Sequence, residues 1–126
     1  MSGREIDEVA MAFASNYVAP GGPALAAFEA AFKAQTGFKH AVAVTSGTAA
    51  THLALRHLGV GSGDEIWAAS LTFIGSVAPA VHEHADLVFF DCDEASWCMD
   101  PGLLSEALES AARRNRRPKA VIPTDI

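Results

Sequence analysis

The sequence predicts an α/β fold with a mainly parallel sheet and flanking helices. Short, mainly apolar runs at residues 41–44, 65–69, 87–90 and 119–123 have the length and the β-branched or aromatic content of strands. Amphipathic stretches of helical spacing separate them, which makes βαβ units and therefore parallel pairing. The final run ends a few residues before Ile126, so the sheet looks cut off in mid-pattern. Because a parallel sheet is normally covered on both faces, residues 1–126 are expected to be part of a larger domain.

Taken in order, residues 5–17 place Ile6, Val9, Ala10, Phe13 and Tyr17 at helical spacing. Glu5, Asp7 and Glu8 fall in the first turn, where the helix dipole favours acids. Residues 18–23, Val-Ala-Pro-Gly-Gly-Pro, stop that helix and make a loop. Residues 24–36 form a second amphipathic helix with Leu25, Phe28 and Phe32 on one face, ended by Gly37.

Ala-Val-Ala-Val at 41–44 reads as a strand covered on both faces, Thr45-Ser46-Gly47 as a tight turn, and a helix follows from about Thr48. Leu53, Leu55 and Leu58 give that helix its apolar side, and Ala49, Ala50 and Ala54 allow close approach to a sheet. Ser46 or Thr45 can cap it. The remaining free N–H groups and the positive end of the helix dipole suit a phosphate dianion. An ordinary capped helix carries the same signature, and no Gly-Lys-Ser/Thr follows to make a Walker loop.

The glycine cluster at 59–64 follows a helix, so it reads as a C-cap and turn and not as a dinucleotide fingerprint. Residues 65–69 are the next strand, and Ser70-Leu71-Thr72-Phe73 is the turn that leaves it. Residues 74–83 form a helix that must kink at Pro79 or pack it against something. The strand at 87–90 closes on the acidic turn Asp91-Cys92-Asp93-Glu94. Asp100 as cap and Pro101 at the first helical position start a helix running to about Arg114, and 119–123 is the last strand.

Half of the 126 residues are hydrophobic and 19% are charged, with a net charge of −6, which argues against a nucleic-acid or anionic-membrane surface. No apolar stretch approaches the roughly 20 residues a membrane span needs, and residues 1–13 lack the pattern of a signal peptide. Cys92 and Cys98 therefore read as free thiols in a cytoplasmic protein, too few for a structural zinc site. His82-Glu83-His84 is a poor metal site, since neighbours two apart on a helix do not face the same way. His52 and His57 read as packed or surface groups, and His40 is open. The basic run at 113–117 reads as a solvated helix end. Asp91, Asp93 and Glu94 have nothing to support paired-carboxylate catalysis.

Several motifs occur in a fixed order: Phe28-Glu29, the stretch from Val44-Thr45-Ser46-Gly47-Thr48 to Leu55, Gly61-Ser62-Gly63-Asp64-Glu65-Ile66, and Ser70-Leu71-Thr72-Phe73-Ile74. Together they resemble the N-terminal part of the pyridoxal-phosphate-dependent sugar aminotransferases, the DegT/DnrJ/EryC1/StrS family. Asn16-Tyr17-Val18-Ala19-Pro20 and Phe90-Asp91-Cys92-Asp93-Glu94 resemble, more narrowly, the branch that makes UDP-4-amino sugars of the bacillosamine type.

The resemblance implies fold type I of the aspartate aminotransferase superfamily, with residues 1–126 as the N-terminal, incomplete part of the cofactor-binding large domain. It implies pyridoxal 5'-phosphate as cofactor and active sites shared between two subunits of a homodimer. Gly47, Thr48 and Ala49 would meet the cofactor phosphate, and Phe73 would lie flat on the pyridine ring. Asn16 and Tyr17 would lie near the substrate or the partner's site, although the family usually has a bulkier residue where this chain has Gly21. The implied reaction moves an amine from an amino-acid donor to a 4-keto nucleotide sugar, for surface glycan or glycoprotein sugars.

The family's catalytic lysine and its pyridine-pairing aspartate fall beyond Ile126. Lys33, Lys39, Lys119 and Asp125 do not match them, so this stretch alone is expected to be inactive. A sugar dehydratase of the same family, with a histidine in place of the lysine, and a non-catalytic phosphate- or partner-binding module are the alternatives.

Overall fold

The computed structural model describes residues 3–17 and 19–126, in two compact units, residues 1–43 and 44–126.

The first unit holds two helices, α1 (Glu5–Ala14) and α2 (Pro23–Thr36). Helix α1 stops short of the expected Tyr17. Asn16 adopts a left-handed φ of 56°, and its N–H bonds back to the Phe13 carbonyl at 3.0 Å. Asparagine tolerates that conformation as a helix terminator. Ser15 Oγ then accepts from the Tyr17 N–H at 3.2 Å, turning the chain away. The Tyr17 ring lies over Gly22, where a Cβ would stand 2.4 Å from Tyr17 Cδ1, so only glycine fits. Pro23 opens α2 at its first position, and Gly37 closes it with φ 75°.

The strand expected at 41–44 does not form. A strand needs a neighbour to take up its N–H and C=O groups, and the Ala43 N–H instead donates to Glu29 Oε1 at 2.9 Å. Val42 is 78% exposed, the reverse of the two-sided burial that its apolar run suggested.

The second unit carries α3 (Gly47–His57), β1 (Glu65–Ala69), α4 (Ile74–His82), β2 (Asp86–Phe90), α5 (Pro101–Arg113) and β3 (Ala120–Ile122). Its strands are parallel in the order β2-β1-β3, with Ile66 opposite Leu87 on one side and Ala120 on the other. Pro123, which has no N–H to give, lies just past the end of β3.

Strand β1 is central, and its side chains alternate between two cores. Trp67 and Ala69 pack with Phe90, Met99 and Ala111 of α5 on one face. Ile66 packs with Leu55 of α3, Val60 and Ala80 of α4 on the other. Burial of side chains such as Ile66 and Trp67 contributes about 1.5–3 kcal/mol each. Pro79 is fully buried inside α4, which continues past it to His82. Asp100 caps α5 by accepting from the N–H groups of Gly102 at 2.7 Å and Leu103 at 3.1 Å. The α/β class and the parallel pairing are thus as the sequence predicts, with three strands in place of four.

Candidate functional site

In open parallel sheets, ligands bind beyond the carboxyl ends of the strands. Here β1 leaves the sheet into Ser70-Leu71-Thr72-Phe73, which leads directly into α4. The Ser70 N–H extends the ladder by donating to the Phe90 carbonyl at 2.8 Å. Thr124 Oγ1, two residues past β3, donates to Thr72 Oγ1 at 2.9 Å and pins the turn.

Helix α3 begins at the extended residue Ser46 (φ −164°, ψ 163°), whose Oγ accepts from the Ala49 N–H at 3.1 Å. Ser46, not Thr45, is therefore the cap. The Gly47 and Thr48 N–H groups lie in the first turn, where no helical carbonyl can reach them. A Cβ built on Gly47 would meet no atom within 4 Å, so the space above the turn is open. Ala49 differs from its two neighbours in that its N–H is already taken by the cap.

Phe73 immediately precedes α4 and is 75% exposed. A Cβ added at Gly75 would stand 2.5 Å from Thr48 Oγ1, 2.8 Å from Phe73 Cε1 and 3.0 Å from Phe73 Cδ1. The Thr48 hydroxyl and the Phe73 ring edge therefore converge over Gly75, in a cradle that any larger residue would fill. Gly75 is the residue that sequence reasoning missed. The available signal was a glycine two positions after the turn's aromatic, where a helix gains nothing from it.

Asn16 and Tyr17 belong to the first unit, where Tyr17 is 47% exposed and packs over Gly22. Val18 of the same loop lies outside the described residues. Lys119 is at the amino end of β3, 3.7 Å from Asp64 Oδ2, on the edge of the sheet away from Phe73. Lys33 is exposed on α2.

The acidic turn after β2 is organised by Asp93. Its Oδ1 accepts from the Ser96 N–H at 2.8 Å, Ser96 Oγ at 2.8 Å and the Ala95 N–H at 3.2 Å. The bonds from Ser96 hold its carboxyl below the usual aspartate range. Cys92 and Cys98 are both free thiols. Glu83 is engaged by His52 and Arg56, and no group of three or more potential metal ligands occurs among the described residues.

Known proteins resemble this chain in sequence and in fold. The model of the DegT/DnrJ/EryC1/StrS aminotransferase family matches residues 1–126. The chain belongs to that family. EpsN of Bacillus subtilis (strain 168), named as a pyridoxal phosphate-dependent aminotransferase, is 45% identical over 126 residues, covering 100% of this chain and 32% of its own length. The GDP-perosamine synthase of Caulobacter vibrioides is 35% identical over the same share of each chain, 100% and 32%. A DegT/DnrJ/EryC1/StrS aminotransferase from Brucella abortus superposes with a TM-score of 0.82 at 29% identity, covering 96% of this chain and 32% of that one.

Residues 1–126 thus span about a third of the length of the family members they match. Their parallel sheet and flanking helices match part of the fold type I architecture of pyridoxal-phosphate-dependent aminotransferases. No helix of the described residues is long and apolar enough to cross a membrane.

Proposed function

We propose that residues 1–126 contribute the phosphate- and ring-binding part of a pyridoxal-phosphate-dependent aminotransferase. Its substrate is a 4-keto nucleotide sugar, UDP-linked as in the bacillosamine-type branch, and an amino acid is the donor. The product feeds polysaccharide or glycoprotein sugar synthesis, and the working form is a cytoplasmic homodimer. One observation carries this reading: the Thr48 hydroxyl and the exposed Phe73 side chain converge over Gly75 at the carboxyl edge of the sheet, beside the first turn of α3 with its free N–H groups.

Those groups fit the cofactor's two ends. The Gly47 and Thr48 N–H groups and the Thr48 hydroxyl donate to its phosphate, helped by the α3 dipole. Ser46 fixes the turn by holding the Ala49 N–H, so Ala49 would meet the phosphate as packing and not as a further donor. Phe73 covers one face of the pyridine ring and keeps water from it. When bound, pyridoxal phosphate supplies the electron sink for amine transfer. Asn16 and Tyr17 serve the substrate end, and the catalytic lysine comes from outside residues 1–126.

The protein expressed from its native gene tests this. It should bind pyridoxal phosphate with a visible absorption band and, given glutamate or glutamine, convert a UDP-4-keto sugar to the 4-amino sugar. Cofactor binding without amine transfer would favour the dehydratase chemistry of the same family. Failure to bind the cofactor at all would leave a non-catalytic module.

A further inference from the structure

Helix α3 presents Thr48, His52 and Arg56 at four-residue intervals, a spacing that places all three along one stripe. Each of the three meets α4 or its cap. Thr48 closes on Gly75 at the start of α4. His52 Nε2 lies 2.5 Å from Oε1 of Glu83, the residue that ends α4. Arg56 Nη1 reaches the same oxygen at 3.4 Å. The His52 and His82 rings also lie with centroids 5.8 Å apart, tilted by 56°. The Glu83 side chain is only 16% exposed, and that of His52 34%, so the pair is partly shielded from solvent.

We propose that the His52–Glu83 pair is a latch that positions the cofactor by fixing the spacing between Thr48 and Phe73. The inference rests on the cofactor reading given above. The phosphate-binding turn belongs to α3 and the stacking ring to α4, so no single element sets the distance between them. Pairing of α3 with α4 sets it, and beside the shared packing of Leu55 and Ala80 and the longer Arg56–Glu83 contact that pairing has two fastenings along this stripe. One is the close approach at Gly75, which is van der Waals contact and permits sliding. The other is the charge-assisted bond at Glu83, which is directional and does not. From Thr48 to His52 is about 6 Å along α3, and from Gly75 to Glu83 about 12 Å along α4, so each half of the latch reaches the cradle through one continuous helix.

Pyridoxal phosphate joins its ring and phosphate by a short –CH2–O– link, which bounds how far apart the two can be held. A shift of α4 against α3 penalises a ligand that must satisfy both ends together, yet leaves a ligand that uses only the turn untouched. His52 and Glu83 are thus positioning residues, and their signature is the ratio of two affinities.

The test uses the protein from its native gene and measures the Kd of pyridoxal phosphate and of inorganic phosphate. His52→Ala and Glu83→Ala should each weaken pyridoxal phosphate about tenfold. Inorganic phosphate should stay within about twofold, and the double variant should be no worse than either single one. His52→Gln, which keeps an N–H donor near the position of Nε2, should restore most of the loss and guards against a variant that fails to fold. Equal weakening of both ligands, or a lowered melting temperature with an unchanged ratio, would reduce the pair to a packing role and overturn the latch. Wild-type protein that binds inorganic phosphate but not pyridoxal phosphate would overturn the cofactor reading and the latch with it, an outcome visible before any variant is made.

Discussion

At the amino edge of the sheet, Asp64 meets Lys119 at 3.7 Å and Glu65 meets Arg116 at 3.5 Å. Around them Gly63, Asp64, Glu65, Arg116 and Arg117 line an open polar pocket. At the carboxyl edge there are hydroxyls, first-turn N–H groups and the exposed aromatic residue Phe73. One edge matches its charges internally, whereas the other leaves donors and an apolar surface for something else. Parallel strands impose this asymmetry, because every βα turn emerges on the same side. The basic run at 113–117 illustrates the first edge. Arg113 pairs with Glu109 at 3.8 Å and Arg116 with Glu65, so part of it is used within the fold.

The comparison predicts that substitutions at the carboxyl edge change ligand binding more than stability, and that those at the amino edge change neither by much. Gly75→Val should show the largest effect. Its side chain would enter the space held by Thr48 Oγ1 at 2.5 Å and Phe73 Cε1 at 2.8 Å. Displacing both groups should cost about thirtyfold in pyridoxal phosphate affinity, from a hydroxyl bond and a stacking contact of about 0.5–1.5 kcal/mol each, with a stability loss of about 1–3 kcal/mol. Cofactor titration and thermal unfolding on the same preparation separate the two. Affinity unchanged by Gly75→Val would mean that the cradle is not the binding place.

Phe73→Ala comes next. An exposed ring contributes little to the core, so stability should move by no more than about 0.5 kcal/mol. Loss of the stacking surface should weaken cofactor binding up to about tenfold, since aromatic pairs contribute about 0.5–1.5 kcal/mol. A fall in melting temperature without a change in affinity would assign Phe73 to packing. Arg116→Ala, at the other edge, is the control. Its side chain is 74% exposed, and an exposed pair contributes about 0–1 kcal/mol, less at high salt. It should leave cofactor affinity unchanged.

Much of this was legible in the sequence because it is local. Strand β1 was readable from Glu65–Ala69 because its four buried residues, Ile66 to Ala69, are all apolar, and Asp100-Pro101 announced α5 by cap chemistry alone. Ser46 was one of two hydroxyls able to cap α3, and only the backbone geometry chose between them. What was not legible depends on distant partners. Residues 41–44 have a strand's composition but no neighbour to pair with among the described residues. Glu83 looked like the middle of a His-Glu-His triplet, while its partner His52 stands 31 residues away on another helix. Gly75 mattered only once Thr48 of α3 was seen above it.

The smallest predicted effect lies in the acidic turn, which also leaves the sheet at its carboxyl edge. The bonds from Ser96, with a lesser one from Ala95, favour the ionised form of Asp93 and lower its pKa in the folded protein. A carboxyl whose folded pKa lies below its unfolded value, about 3.9 for aspartate, binds fewer protons when folded. Its contribution is therefore fully present above the unfolded value and is lost as pH falls through the folded one. Asp93→Asn should flatten the acid limb of the stability curve below about pH 4 while leaving neutral-pH stability nearly unchanged, because Asx-type bonds to Ser96 and Ala95 can persist with an amide oxygen. Urea unfolding midpoints across the acid range would measure it. An unchanged acid limb would mean that the turn opens before Asp93 takes up its proton, which would separate its local stability from that of the paired strand β2 beside it.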